Sequence, residues 1–213
     1  MKTSLAVLGC VALSAFSAVA QDVPAMETFL GFTYTRFNSA SNVPAYSANG
    51  GSAQFAYNFN KWLAGVADIG AVHNGDIGGF QLDNTWTNFV LGPRVSLRYS
   101  RLRPYFQTLF GVVHGSASTR IFDNGPLLVA TPVATEPPLI RGQQVTPRAV
   151  ASQTSFAMTI GGGLDIKINK HLSFRPIGLD YYMTRLQSLR TLEDNNQNNL
   201  RYTTGVNFTF GAQ

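Results

Sequence analysis

The sequence predicts an all-β chain: an eight-stranded antiparallel up-and-down transmembrane β-barrel with long extracellular loops and short periplasmic turns. Three observations lead there. Apolar and polar residues alternate along successive segments, so each segment carries one apolar and one polar face. The connections between segments alternate in length, spanning about 12 to 33 residues when long and about 2 to 4 when short. Charged residues make up 13% of the chain, against about 25% in ordinary domains, and inside the segments they gather on the polar face.

Residues 1–20 read as a secretory signal. Lys2 gives the positive start, residues 5–16 the apolar middle, and Ala18-Val19-Ala20 the small-residue cleavage site. Residues 21–213 are then one barrel domain beginning at Gln21. Cys10 is the only cysteine, and the Val7-Leu8-Gly9-Cys10 box has too few apolar residues ahead of it for lipidation. Cleavage after Ala20 leaves no cysteine, hence no disulfide framework and no thiol chemistry. Past the leader, no apolar run is long enough for a transmembrane helix. The formal net charge is +5, but the arginines are scattered through strands and turns. Nucleic acid is therefore not an expected partner.

The first strand spans residues 27–37, with Leu30, Phe32 and Tyr34 on one face and Gly31, Thr33 and Thr35 on the other. A polar loop covers 38–49. Residues 50–59 alternate again, and Asn60-Lys61 forms a tight turn. Residues 62–73 return with Asp68 on the polar face, although Val66 interrupts the pattern. A glycine- and asparagine-rich loop follows at 74–86. Residues 87–115 give the clearest hairpin. Phe89, Leu91, Pro93, Val95, Leu97 and Tyr99 share one parity, and Val90, Gly92, Arg94, Ser96 and Arg98 share the other.

Residues 119–151 contain Pro126, Pro132, Pro137, Pro138 and Pro147. Proline cannot donate to a ladder, so this segment reads as a long extracellular loop and not a strand pair. Residues 152–169 form the sixth strand, with Asp165 and Lys167 on the polar face. Residues 172–185 form the seventh. There Arg175 and Asp180 have opposite parity, and a bulge near 176–178 would place both inside. A polar loop at 186–199 leads to the last strand, 200–210, which carries Arg201.

The faces separate this barrel from a soluble one of lipocalin type. The polar face holds Asp68, Arg94, Arg98, Asp165, Lys167, Arg175, Asp180 and Arg201. Charges of both signs on one enclosed face can pair. The opposite face carries almost none, because a mid-strand charge in hydrocarbon costs about 2–4 kcal/mol. Aromatics mark two rims, as at two membrane interfaces. Phe59, Trp62, Tyr99, Tyr105, Phe106, Phe174 and Phe210 lie near the short turns. Tyr34, Trp86, Phe156, Tyr181, Tyr182 and Tyr202 lie near the long loops.

With this leader, residues 161–185 (GGGLDIKINKHLSFRPIGLDYYMTR), residues 103–115 (RPYFQTLFGVVHG) and residues 205–211 (GVNFTFG), the chain resembles the small Gram-negative outer-membrane β-barrels of OmpA/OmpX type. The likeness covers about residues 27–213. It implies location in the cell outer membrane, contact with outer-membrane lipids, and recognition of the C-terminal strand by the outer-membrane assembly machinery. The family usually ends in an aromatic residue. Here Gly-Ala-Gln follows Phe210, which sets that signal slightly inboard. No peptidoglycan-binding domain is expected after it.

An eight-stranded barrel is just wide enough for side chains to fill. The expected function is therefore a non-enzymatic structural or surface-interaction role, with adhesion or partner binding by the loops. Porin-like transport of ions or small solutes through a narrow lumen is the alternative, and a lipid A deacylase-like enzyme a remote one. The deacylase idea rests on His114 and Ser116, two apart on one strand. That family's following asparagine is replaced by Ala117, and no carboxylate lies close in sequence. His73, His114 and His171 have no metal-ligand spacing. Gly161-Gly162-Gly163 opens no helix and is not a phosphate loop. No cofactor is expected. A surface ligand, if there is one, is expected at 119–151.

Overall fold

The computed structural model describes residues 23–38, 45–75, 82–120, 139–140, 143–144, 148–187 and 194–212. Its elements are β1 (Pro24–Phe37), β2 (Tyr46–Asn58), β3 (Leu63–Asn74), β4 (Leu82–Ser96), β5 (Leu102–Arg120), β6 (Leu139–Ile140), β7 (Gln143–Gln144), β8 (Arg148–Lys167), β9 (Leu172–Gln187) and β10 (Asp194–Ala212). Eight of them close a barrel in the order β1-β10-β9-β8-β5-β4-β3-β2, all antiparallel. Closure leaves no unpaired edge, which hydrocarbon would not tolerate. No helix among the described residues is long and apolar enough to cross a membrane, as suits a chain that crosses with strands.

The wall is inverted relative to a soluble protein. Leu30, Phe32, Phe55, Ile69, Phe89, Leu91, Phe110 and Val112 all face outward and exposed. Glu27, Gln54, Asp68, Arg94, Gln107, Arg175, Asp180 and Arg201 are buried inside.

The strands run further than hydropathy predicts. β5 and β8 stay paired out to Thr119↔Ala149 and Arg120↔Arg148, inside the segment the sequence gives to a loop. β6 and β7 form a small ladder of their own there, against the expectation of no strand pair. Likewise β2 begins at Tyr46, β4 at Leu82, and β9 and β10 reach Gln187 and Asp194. Main-chain bonds can continue in water past the bilayer. The fall in hydropathy marks the membrane surface and not the end of the ladder. Residues 121–138, with Pro126, Pro132, Pro137 and Pro138, and Pro147 lie outside the described residues.

Two local expectations meet different outcomes. Val66 does not interrupt β3: Ala64, Val66, Asp68, Gly70 and Val72 all face inward in regular alternation. The lumen accepts apolar side chains at this level, where Val66 packs with Val90, Leu109 and Val113. The bulge in β9 is present. Gly178 pairs Thr203 but Arg175 pairs Gly205, and on the other side Ile177 pairs Leu164 but Phe174 pairs Ile166. The extra residue flips parity between Arg175 and Gly178, so Arg175 and Asp180 both point inward. The displaced carbonyls find partners on the lipid side. Tyr202 Oη donates to Pro176 O at 2.8 Å and Thr204 Oγ1 to Arg175 O at 3.0 Å.

Candidate functional site

The lumen is the place where the fold concentrates chemistry. Strand parity sets its contents, because inward residues of all eight strands converge on one narrow axis. At mid-height Arg201 bridges two carboxylates. It gives Nη1 and Nη2 to Asp68 at 3.2 and 3.3 Å, and Nε and Nη2 to Asp180 at 3.1 and 2.8 Å. Asp68 also accepts from Gln54 Nε2 at 2.7 Å and Asn88 Nδ2 at 3.0 Å.

Towards the short turns, Arg175 grips Asp165 in a fork, Nε to Oδ1 at 2.7 Å and Nη2 to Oδ2 at 3.2 Å. Its guanidinium carbon lies 4.1 Å from the Phe29 ring centroid and 4.4 Å from that of Tyr105. Planar, weakly hydrated arginine suits such a stacked and bidentate site better than lysine. Arg94 takes amide oxygens: Nε and Nη2 donate to Gln107 Oε1 at 3.1 and 2.7 Å, and Nη2 to Gln54 Oε1. It also lies 4.5 Å from the Tyr105 centroid. At the mouth, Arg98 donates to Glu27 Oε1 at 2.8 Å and Asn58 Oδ1 at 2.9 Å.

The predicted residues thus have definite places. Asp68, Asp180 and Arg201 form one cluster and Asp165 with Arg175 a second, linked through Gln54. Arg94 and Arg98 point inward, but neither pairs with Asp68 or Asp165. Glutamines hold the first and Glu27 the second. Lys167 sits on the inward parity of β8, half-buried and outside the described ion pairs. Sequence reasoning missed Glu27, Gln54, Asn58 and Gln107. Glu27 and Gln107 share parity with Thr33 and Tyr105, so extending the strand pattern to every polar side chain would find them.

Three aromatics also change sides. Tyr105, Trp86 and Tyr182, assigned by sequence to the membrane girdles, face inward. Tyr105 provides the ring beneath two arginines. Trp86 joins Phe37 and Tyr46 in an aromatic layer at the extracellular end, where Phe37 lies 5.0 Å from Tyr46 and 5.4 Å from Trp86. Tyr46 Oη accepts from Asn84 Nδ2 at 2.9 Å and Trp86 Nε1 at 3.0 Å. Phe59, Trp62, Tyr99, Phe106, Phe174 and Phe210 remain outside at the short-turn rim, and Phe156 and Tyr181 at the other.

A family model described as "Outer membrane protein beta-barrel domain" matches residues 3–213. The chain belongs to this family. A search of curated proteins finds no match. Among solved structures, Neisserial surface protein A is similar at TM-score 0.59 and 11% identity, covering 87% of this chain and 97% of that one. Ail, the attachment invasion locus protein of Yersinia pestis, is similar at TM-score 0.54 and 12% identity, over 88% of this chain and 100% of its own. Ail in complex with the heparin analogue sucrose octasulfate is similar at TM-score 0.54 and 15% identity, over 87% and 97%. These likenesses show the fold. As an outer membrane protein β-barrel, the chain resides in the outer membrane among its lipids, with its short turns periplasmic and its longer connections extracellular.

In this outer-membrane barrel, His114 is outward-facing near the extracellular end. Its Nδ1 lies 2.8 Å from Thr154 Oγ1, and His73 Nδ1 lies 3.0 Å from Thr85 Oγ1. A serine hydrolase needs a carboxylate orienting the histidine. His114 has a threonine there. Among the described residues no cluster of three or more His, Cys, Asp or Glu could hold a metal ion.

Proposed function

We propose that this outer-membrane barrel is non-enzymatic, that its lumen is a structural plug, and that it acts through its extracellular loops. The observation carrying the plug is the burial of Arg175 and Arg201 at the barrel axis, with 0% and 1% of their surface exposed. Each is held by carboxylates, and rings crowd Arg175. A conducting pore needs a site weak enough for an ion to leave. These forks are charge-assisted and closely packed. Of the eight charged residues singled out from the sequence, all but Lys167 are bound into this plug.

The interaction role rests on the loops. Loops carry binding on rigid scaffolds, and segment 119–151 contains Arg120, Arg141 and Arg148 beside Leu127, Leu128 and Ile140. Ail forms a complex with a polyanionic heparin analogue. Asp123 and Glu136 offset two of these arginines, and the remaining positive, partly apolar segment suits a polyanion on the cell surface here as well. Contact with the assembly machinery would use β10, whose Phe208 and Phe210 face outward next to the β1 seam.

Planar-bilayer recording of the purified barrel tests the plug; the expected trace is closed, and large steady channels would overturn it. Deletion of residues 126–147 followed by heparin-bead capture tests the loop. Loss of capture with unchanged heat-modifiable gel mobility supports the reading; retained capture, or none by the intact chain, removes it.

A further inference from the structure

The periplasmic mouth holds a charge arrangement that the plug leaves uncompensated. Leu97 N donates to Pro104 O at 2.9 Å and Tyr99 N to Leu102 O at 3.0 Å. This register sets Arg98 directly opposite Arg103 across the β4–β5 turn. Both face inward: Arg98 reaches Glu27, and Arg103 is the ladder neighbour of Asp165 on β8, whose side chain is buried in the lumen. Like charges directly opposite on neighbouring strands repel.

Both carboxylates are engaged by other donors. Glu27 accepts from Arg98 Nη2 and Asn58 Nδ2 at Oε1 and from Asn207 Nδ2 at Oε2. Asp165 has both oxygens in the Arg175 fork. Nη1 of Arg98 and Nη1 of Arg103 are buried with no hydrogen-bond partner. Such donors leave a desolvation cost unmet. Among the described residues, the inward cations are Arg94, Arg98, Arg103, Lys167, Arg175 and Arg201, and the inward carboxylates are Glu27, Asp68, Asp165 and Asp180. Positive charge is in excess, and the cations without a carboxylate of their own include Arg103 and Lys167 at this one end.

We propose that Arg98 and Arg103 form a binding site for a phosphate-class oxyanion at the periplasmic mouth. One oxyanion between the two guanidinium groups would accept from both free Nη1 atoms and relieve their repulsion. Lys167, on the same inward parity as Asp165, adds to the field. Arginine presents a fork that matches phosphate oxygens. The ligand chemistry is shared by free inorganic phosphate in the periplasm and by the headgroup of an inner-leaflet phospholipid.

The test uses the full barrel refolded in a phosphate-free neutral detergent and titrated with inorganic phosphate by calorimetry, against chloride at equal ionic strength. Saturable binding to phosphate over chloride is expected, weakened about tenfold or more in Arg103→Gln, which loses a charged donor. Repeating the titration in phosphatidylglycerol nanodiscs separates the sources. Loss of phosphate binding there assigns the site to the lipid headgroup; retained binding assigns it to the free anion. No saturable binding by the unmodified barrel in detergent, or equal binding by Arg103→Gln, overturns the proposal. The first of these readouts needs no variant, so poor folding of Arg103→Gln does not shield it.

Discussion

Asp68 of β3 and Arg201 of β10 meet inside the barrel, Nη1 to Oδ1 at 3.2 Å, with 0% and 1% of their side-chain surfaces exposed. The same guanidinium holds Asp180 at 2.8 Å. One cation thus satisfies two buried carboxylates from different strands. Arg201→Met would strand both, and breaking a buried pair this way costs about 3–5 kcal/mol. Urea unfolding of the lipid-reconstituted barrel should show that loss. Adding Asp68→Asn and Asp180→Asn should recover most of it, since no buried charge is then left alone. Equal stability of Arg201→Met and the parent chain would dismiss the network as a stabilising element.

The β9 bulge has its own dependence on side chains. Tyr202 and Thr204 reach the carbonyls of Pro176 and Arg175 from the lipid side. Tyr202→Phe keeps the ring and removes the donor. A loss of about 1–3 kcal/mol is expected, the cost of an unmet buried acceptor. The loss should be larger in lipid than in detergent, where water reaches the wall more easily. Thr204→Val should behave alike, and a double variant should show whether the two carbonyls are satisfied independently.

Lipid contact predicts a depth effect. Leu91 is 55% exposed on the outer face of β4 near mid-strand, and Tyr99 is 64% exposed at the periplasmic end. Leu91→Arg should cost about 2–4 kcal/mol in bilayers, and Tyr99→Arg about 0–1 kcal/mol. Refolding into liposomes compares the two directly. Equal costs would mean that these faces do not span hydrocarbon.

A tight notch supports the stacked arginines. Gly163 and Gly178 are cross-strand partners of β8 and β9. A Cβ on Gly178 would lie 2.3 Å from Thr203 Oγ1 and 2.9 Å from Tyr105 Oη, and one on Gly163 would lie 2.7 Å from the same hydroxyl. The pair leaves room for Tyr105 to lie under Arg94 and Arg175. Gly178→Ala should therefore destabilise by about 1–3 kcal/mol through overpacking. Coupling to Tyr105→Phe in a double-mutant cycle should be measurable; strict additivity would show that the notch does not hold the ring.

Parity made much of this legible. Alternation in β3, β4, β8 and β10 puts Asp68, Arg94, Asp165 and Arg201 on one face without any structure, and the parity conflict between Arg175 and Asp180 points to a bulge. Parity was silent where residue type misled. Tyr105, Trp86 and Tyr182 look like interface aromatics by composition, yet they alternate with Gln107, Asn88 and Thr184 and so share the inner face. Partner choice was not legible either. Arg94 meets Gln107 and Gln54 rather than an aspartate because the heights of side chains around the barrel depend on register, which a one-strand reading does not contain. Strand ends were misjudged because polar residues such as Thr119 and Ser118 continue the ladder in water as readily as apolar ones do in lipid.

The pairing of β1 with β10 also bears on the order of events in assembly. The ring cannot shut until β10 arrives: Met26 pairs with Tyr57 of β2 on one side, and only Phe210 of β10 fills the other. Until that moment two strand edges stand open, and open edges invite pairing with other chains. Arg201 travels on the strand that completes the ring; it meets Asp180 within the β9–β10 pair, and Asp68 of β3 gains this cation as the seam forms. Wall closure and neutralisation of Asp68 are therefore one step, and a chain cut short before β10 would expose both its edges and carboxylates without their cation, Asp68 and Asp180, to the cell's quality control.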